Sequence, residues 1–173
     1  VVGRSQYVET RGFRKPRKRP FMIRLIISDC DGVLTDGKLY YGAEGEVLKV
    51  FNVKDGTAIK ALMAEGIKFG IVSGRGSAAL ASRAEELGLD FCQMNISDKA
   101  QAVAAIRAQY GVEVEETLFV GDDTNDCAVR SECGHLYAVN DAATELVNIC
   151  DVQLKTAGGA GVFKEVLARI HGH

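Results

Sequence analysis

Apolar and amphipathic segments alternate along this chain, and the changing period of that pattern predicts its elements. The run Leu25-Ile26-Ile27 is short enough for a buried strand and ends abruptly at Asp29 and Asp31, after which Gly32 and Gly37 allow sharp turns. Residues 38–51 (KLYYGAEGEVLKVF) read as a hairpin: aromatic and β-branched residues flank a Gly42-Ala43-Glu44-Gly45 turn, placed to fold over the acidic loop as a flap. Asp55 reads as the N-cap of an amphipathic helix that runs to Glu65 and stops at Gly66. A second buried strand follows over 67–72, then a helix over 77–87 closed by Gly88, a short strand over 90–93, and a helix over 99–110 stopped at Gly111.

The run Leu118-Phe119-Val120 predicts a fourth strand, which leads into Gly121-Asp122-Asp123-Thr124-Asn125-Asp126. Beyond it the pattern gives a helix to Glu132, a strand over 136–139, a helix over 142–148 and a strand over 152–154. A Gly158-Gly159-Ala160-Gly161 loop then opens a last helix ending near Ile170. Strands that alternate with helices form βαβ units, so the fold class is α/β, a parallel sheet flanked by helices over residues 22–173 with a β-hairpin flap. No repeat or low-complexity segment interrupts it.

Composition sharpens this picture at three points. The 173 residues, 47% of them hydrophobic, suffice for one domain with a proper core. No apolar run reaches membrane-spanning length and no charged-then-apolar secretory leader is evident, which predicts a cytoplasmic protein with no membrane partner. The five cysteines (Cys30, Cys92, Cys127, Cys133 and Cys150) are scattered and lack C-x-x-C spacing, which argues against a disulfide framework and a zinc site.

The formal charge of -2 conceals an asymmetry. Residues 1–21 carry seven basic side chains against Glu9, a sum of +6, which leaves -8 for the rest. This leader holds both prolines, has no apolar periodicity, and reads as a disordered extension ahead of Met22. It offers a contact for acidic surfaces, but the negative remainder would repel phosphate backbones, so nucleic acid is not the expected partner.

In a parallel sheet the polar loops after successive strands open at one edge, where ligands bind. Here they bring Asp29 and Asp31, Ser73, the Ser97-Asp98-Lys99 turn, and Asp122, Asp123 and Asp126 to that edge. Each has a plain alternative: a solvated acidic turn, a helix cap, a helix-start lysine, or acids facing a helix dipole. Asp29, Asp31, Asp122, Asp123 and Asp126 together supply five carboxylates, Lys99 one ammonium and Ser73 one hydroxyl. Carboxylates that repel one another call for a hard divalent cation, and with magnesium, Lys99 and backbone donors they suit phosphoryl transfer.

The segments D-C-D-G-V-L-T-D-G, the serine ending the second strand, the lysine, and G-D-D-x-x-D resemble the four motifs of the haloacid dehalogenase (HAD) superfamily of phosphatases. That resemblance implies a Rossmann-like HAD fold in which Asp29 is the nucleophile and Asp31 the general acid and base. It also implies that Ser73, Gly74 and Lys99 hold the phosphoryl oxygens. Mg2+ would be bound by the Asp29 side chain, the Asp31 backbone carbonyl and Asp122, with Asp123 and Asp126 in support. Too few residues separate the motifs for an inserted cap domain. The phrases L-Y-Y-G-x-x-G-E, F-N-V-K-D-G, S-G-R, G-D-D-T-N-D and A-G-G-x-G resemble the 3-deoxy-D-manno-octulosonate 8-phosphate (KDO 8-phosphate) phosphatase family of lipopolysaccharide precursor synthesis.

The resemblance implies a phosphorylated sugar-acid substrate and a homotetramer in which a neighbouring subunit covers the site. It makes Lys54, Arg75 and Arg83 candidates for binding the sugar acid. That family often carries a basic or polar residue where this chain has Ala160, which bears on the contact from the neighbour. Two rivals remain: a phosphatase of a related sugar acid such as a nonulosonate 9-phosphate, and a non-catalytic HAD-like module that oligomerises or tethers a partner such as a cytidylyltransferase. Arg75 weighs against the first, and the intact set of Asp29, Asp31, Ser73, Lys99 and Asp122 against the second.

Overall fold

The computed structural model describes residues 22–172, so the basic segment over 1–21 and the expectations placed on it lie outside the described residues. In chain order the strands are β1 (Leu25–Ser28), β2 (Tyr40–Gly42), β3 (Gly45–Leu48), β4 (Lys68–Val72), β5 (Phe91–Gln93), β6 (Thr117–Gly121), β7 (His135–Ala138) and β8 (Val152–Gln153). The helices are α1 (Val53–Ala64), α2 (Ala78–Leu87), α3 (Lys99–Tyr110), α4 (Thr144–Val147) and α5 (Val162–Ile170). Six strands form one parallel sheet in the order β5-β4-β1-β6-β7-β8, and β2 and β3 pair separately as the antiparallel flap. Among the described residues there is no cap domain between them.

Strand β1 is buried throughout and lies between β4 and β6, with Ser28 in register with Ile71 on one side and Val120 on the other. The chain leaves β1 toward β4 and β5, then crosses back to β6, so the sheet order reverses at β1 and a crevice opens beyond its C-terminal end. Period-two alternation divides the core. Ile26, Phe69, Ile71, Leu118 and Val120 pack with Ile59, Leu62, Phe163 and Val166 on one face. Leu25, Ile27, Val72 and Phe119 pack with Val103, Ile106, Val129 and Leu146 on the other.

Three local expectations change. Helix α1 is capped by Asn52, whose side chain accepts from the Lys54 N–H at 2.9 Å, and not by Asp55. Asp55 instead lies buried in the first turn, where its carboxylate accepts the Phe163 N–H at 2.7 Å and so caps α5, which begins at a glycine with no side chain to do so. Burial pushes the Asp55 carboxyl up to about 6. The segment after β6 is a 3-10 helix (Thr124–Glu132), with Asp123 and Asp126 forming a capping box at its start. The helix expected over 142–148 shortens to α4, whose N-cap Ala143 donates its N–H to the Asp122 carbonyl at 2.7 Å.

The glycine loop before α5 is clamped to the loop after β1. The Gly159 N–H reaches the Val33 carbonyl at 2.9 Å, and the Asn52 amide reaches the Gly159 carbonyl at 3.0 Å. A Cβ on Gly158 would stand 1.9 Å from the Gly32 carbonyl oxygen, so backbone meets backbone there. Gly158→Ala is therefore expected to lower stability by about 1–3 kcal/mol through forced separation of the two loops. The check is a drop in Tm and denaturant midpoint; an unchanged Tm would show that the loops are not in contact.

Candidate active site

Strand β1 ends at Ser28, and the Asp29 N–H continues the ladder by donating to the Val120 carbonyl at 3.0 Å, which holds the Asp29 side chain at the crevice mouth. Asp98 caps α3, accepting from the Gln101 N–H at 2.9 Å, so Lys99 is the first helical residue and its side chain enters the same crevice. There Lys99 is 3% exposed and donates to Asp29 Oδ2 at 2.5 Å and to Asp126 Oδ1 at 2.6 Å. Asp29 Oδ1 accepts the Cys30 N–H at 2.6 Å. Asp126, fully buried, accepts the Asp122 and Asp123 N–H groups on its other oxygen at 2.9 and 3.3 Å. Each charge is thus met by an opposite charge or a backbone donor, as burial demands.

Electrostatics sets the state of these groups. Burial alone would lower the Lys99 pKa, but Asp126 and Asp29 outweigh it and hold the ammonium above its ordinary value. Burial, together with the Asp126 carboxylate, pushes Asp29 upward against the opposing pull of Lys99 and the Cys30 N–H. Asp122 is raised to about 8 by burial and by the carboxylates of Asp29, Asp126 and Asp123. Its Oδ1 atom is buried without a hydrogen-bond partner among the described residues.

That orphaned oxygen marks where a cation fits. Carboxylate oxygens of Asp29, Asp122 and Asp126 all lie within 4.8 Å of one another. Asp126 already serves Lys99 and two backbone donors and Asp29 serves Lys99 and one, so Asp122 is the acid of the three with an unspent oxygen for a hard divalent ion. Asp122 reaches this position because Gly32 has no side chain: a Cβ there would sit 1.9 Å from Asp122 Oδ2, and φ is +89°. Asp123 faces solvent and caps the 3-10 helix through the Thr124 N–H at 2.7 Å.

Asp29, Asp31, Ser73, Gly74, Arg75, Asp122, Asp123 and Asn125 line one open cleft of about 160 Å³. At about 30 Å³ per water, that is room for a phosphoryl group. Ser73 is buried; its backbone bridges Gln93 and Ile96 at 2.9 and 3.0 Å, and its Oγ accepts the Arg75 N–H at 3.3 Å. Lys54 is exposed at the start of α1, beside Gly161. Arg83 is not brought to the cleft: it pairs with Glu86 at 2.8 Å, stacks over Phe51 and borders Gly56. The sequence assigned no site role to Asn125 or to the flap residues Tyr41, Glu46 and Lys49. Asn125 was traceable as a polar residue of the same loop. Lys49 reads in the sequence as an ordinary hairpin charge, yet it pairs with Asp31 and is 5% exposed.

A sheet-edge nucleophile candidate, an ammonium and an acidic cation site, delivered by four loops in this order, define a haloacid dehalogenase-like hydrolase, and a sequence model of that family matches residues 94–166. The KDO 8-phosphate phosphatase of Haemophilus influenzae is 41% identical over 144 residues, covering 83% of this chain and 80% of the relative. That of Yersinia pestis is 37% identical over 149 residues, 86% of this chain and 80% of the relative. Among solved structures, a cobalt-bound form of the Haemophilus influenzae enzyme has a TM-score of 0.83 at 40% identity, covering 86% of each chain. The Moraxella catarrhalis enzyme, in complex with a magnesium ion, a phosphate ion and KDO, has a TM-score of 0.82 at 33% identity over 86% of this chain and 85% of its own. The chain belongs to the KDO 8-phosphate phosphatase family of the haloacid dehalogenase-like hydrolases.

The raised Asp122 carboxyl makes cation binding visible in stability. Its ordinary value is 3.8, so the native state holds a proton there that the unfolded chain has lost, and stability falls as pH rises from about 4 to 8. A cation binds the charged form and reverses that loss. Magnesium is therefore expected to raise Tm more at pH 8 than at pH 5.5, relative to EDTA, and Asp122→Asn to remove the magnesium shift while raising the metal-free Tm. Equal shifts at the two pH values, or a shift that survives in the variant, would place the cation elsewhere.

Proposed function

We propose that this chain is a magnesium-dependent phosphatase that releases phosphate from KDO 8-phosphate through an aspartyl-phosphate on Asp29. The observation that carries this reading is the convergence of Asp29, Lys99 and Asp122 at the end of β1, beside Ser73 and Asp31. Asp29 attacks phosphorus in line while Asp31 gives a proton to the departing sugar oxygen. Asp31 then takes a proton from the water that hydrolyses the acyl phosphate, restoring both carboxyls. Ser73, the Gly74 backbone and Lys99 bind and orient the equatorial oxygens. Asp29 and Asp122, with the Asp31 backbone carbonyl, would hold Mg2+, which when bound offsets the repulsion between an anionic ester and an anionic nucleophile. Asp126 and Asp123 support this set by fixing Lys99 and the loop.

Arg75 lines the cleft, and Lys54 sits beside Gly161 of the glycine loop. We assign these two to the substrate's hydroxyls and carboxylate and leave Arg83 out. An open cleft also needs cover. Val47 and Val53 are 66% and 75% exposed on or beside the flap, which supports a homotetramer whose neighbouring subunit closes the site. Five free cysteines, and no helix among the described residues long and apolar enough to cross a membrane, support a cytoplasmic location.

Asp29→Asn is expected to lower kcat by at least about 10⁴-fold, with Tm retained and Mg2+ required for wild-type turnover. Phosphate release across KDO 8-phosphate, nonulosonate 9-phosphates and unrelated sugar phosphates checks the substrate. Turnover by the variant would exclude the covalent route, and preference for a nonulosonate 9-phosphate would reassign the sugar.

A further inference from the structure

Lys49 follows β3, in a flap whose neighbouring Val47, Leu48 and Val50 are at least half exposed, yet its own side chain is almost wholly covered. It turns inward, and its ammonium pairs with Asp31 Oδ1. Glu46 Oε1 lies 3.5 Å from the same ammonium, and Glu46 Oε2 lies 3.6 Å from Arg75 Nη2. Arg75 in turn donates to the Tyr41 hydroxyl at 3.1 Å, and its Nε is 3.9 Å from Asp31 Oδ2, beyond hydrogen-bond reach. Two cations and two carboxylates thus alternate around a ring that joins the flap to the loop after β1. Within it the Asp31 carboxyl is divided: Oδ1 is anchored by Lys49, while Oδ2 is buried without a hydrogen-bond partner among the described residues.

We propose that Lys49 is a positioning residue, by which the flap fixes the rotamer of Asp31 so that its unpartnered Oδ2 faces the bridging oxygen of the scissile ester. This rests on the phosphatase reading and assigns the chain's own flap a part in proton delivery to the leaving group. Without the anchor, Asp31 swings between Lys49's vacated place and Arg75, and the proton is no longer delivered along one line. Such a loss falls on esters whose alkoxide must be protonated to leave. It spares the phosphoryl-transfer step of those whose leaving group departs as a stable anion, whereas hydrolysis of the aspartyl-phosphate, which also uses Asp31, is common to both.

The test compares Lys49→Met and Lys49→Arg with the wild type on two substrates at saturating Mg2+: the sugar-acid phosphate, and para-nitrophenyl phosphate, whose phenolate leaves without a proton. Lys49→Met is expected to lower kcat/KM, which reads the steps up to phosphoryl transfer, on the alkyl ester by roughly 10²-fold and on the aryl ester by less than about fivefold, with the magnesium-dependent Tm shift kept and Lys49→Arg restoring most of the alkyl activity. An equal fall on both esters, no fall on either, or loss of the magnesium shift would overturn the role. Wild-type turnover of no phosphate ester, alkyl or aryl, would instead overturn the phosphatase reading, and the Lys49 role with it. If the wild type hydrolyses only some other alkyl phosphate, the substrate is reassigned and the same ratio is taken on that ester.

Discussion

One buried ammonium makes the acidic edge of this sheet possible. Lys99 lies between Asp29 and Asp126 in a place from which water is nearly excluded, and there a carboxylate without a counter-charge costs several kcal/mol. Once Asp122 is counted, three carboxylates face one ammonium and the cluster is two charges short of neutral; burial and that deficit together pull the Asp122 carboxyl upward. A site that is stable as a fold yet electrostatically incomplete is poised for a divalent cation and, with it, for an anionic ester. The same feature that strains the acids readies them for their ligand.

Holding the cluster in place takes backbone more than side chains. The sheet reverses direction at β1, so loops distant in sequence converge there, and two glycines without side chains let those loops touch: Gly32 admits Asp122, and Gly158 meets Gly32. Asp55 extends the same logic one layer out. It gives up the cap of its own helix to cap α5, and so ties the glycine loop to the scaffold at the cost of a buried acid. Among the described residues no cap domain is inserted, and the flap reaches the loop after β1 through the Lys49–Asp31 pair.

How far the sequence was legible differs between these layers. The LIIS strand, the βαβ order and the stops at Gly88 and Gly111 could be read because each depends on local pattern or on a residue that alone tolerates a left-handed turn. Asp29, Ser73, Lys99 and Asp122 could be read because parallel strands deliver their loops to one edge, whatever the packing. Asp55 was misread as a cap because Asn52 and Asp55 are both good capping residues, and only burial against α5 tells them apart. Arg83 was placed with the substrate on resemblance alone, whereas its guanidinium is engaged by Glu86 and Phe51.

By itself the sequence determined the order of strands and helices, the inventory of acids, ammonium and hydroxyl at one sheet edge, and the class of chemistry that inventory suits, since all of these follow from residue type and spacing along one dimension. Tertiary structure alone decided which carboxylate oxygens are spent and which are free, that Asp126 serves Lys99 while Asp122 is left unpaired, and that a flap lysine reaches Asp31. The reason is that hydrogen-bond partners and burial are set by contacts between segments many residues apart, and no local pattern encodes them.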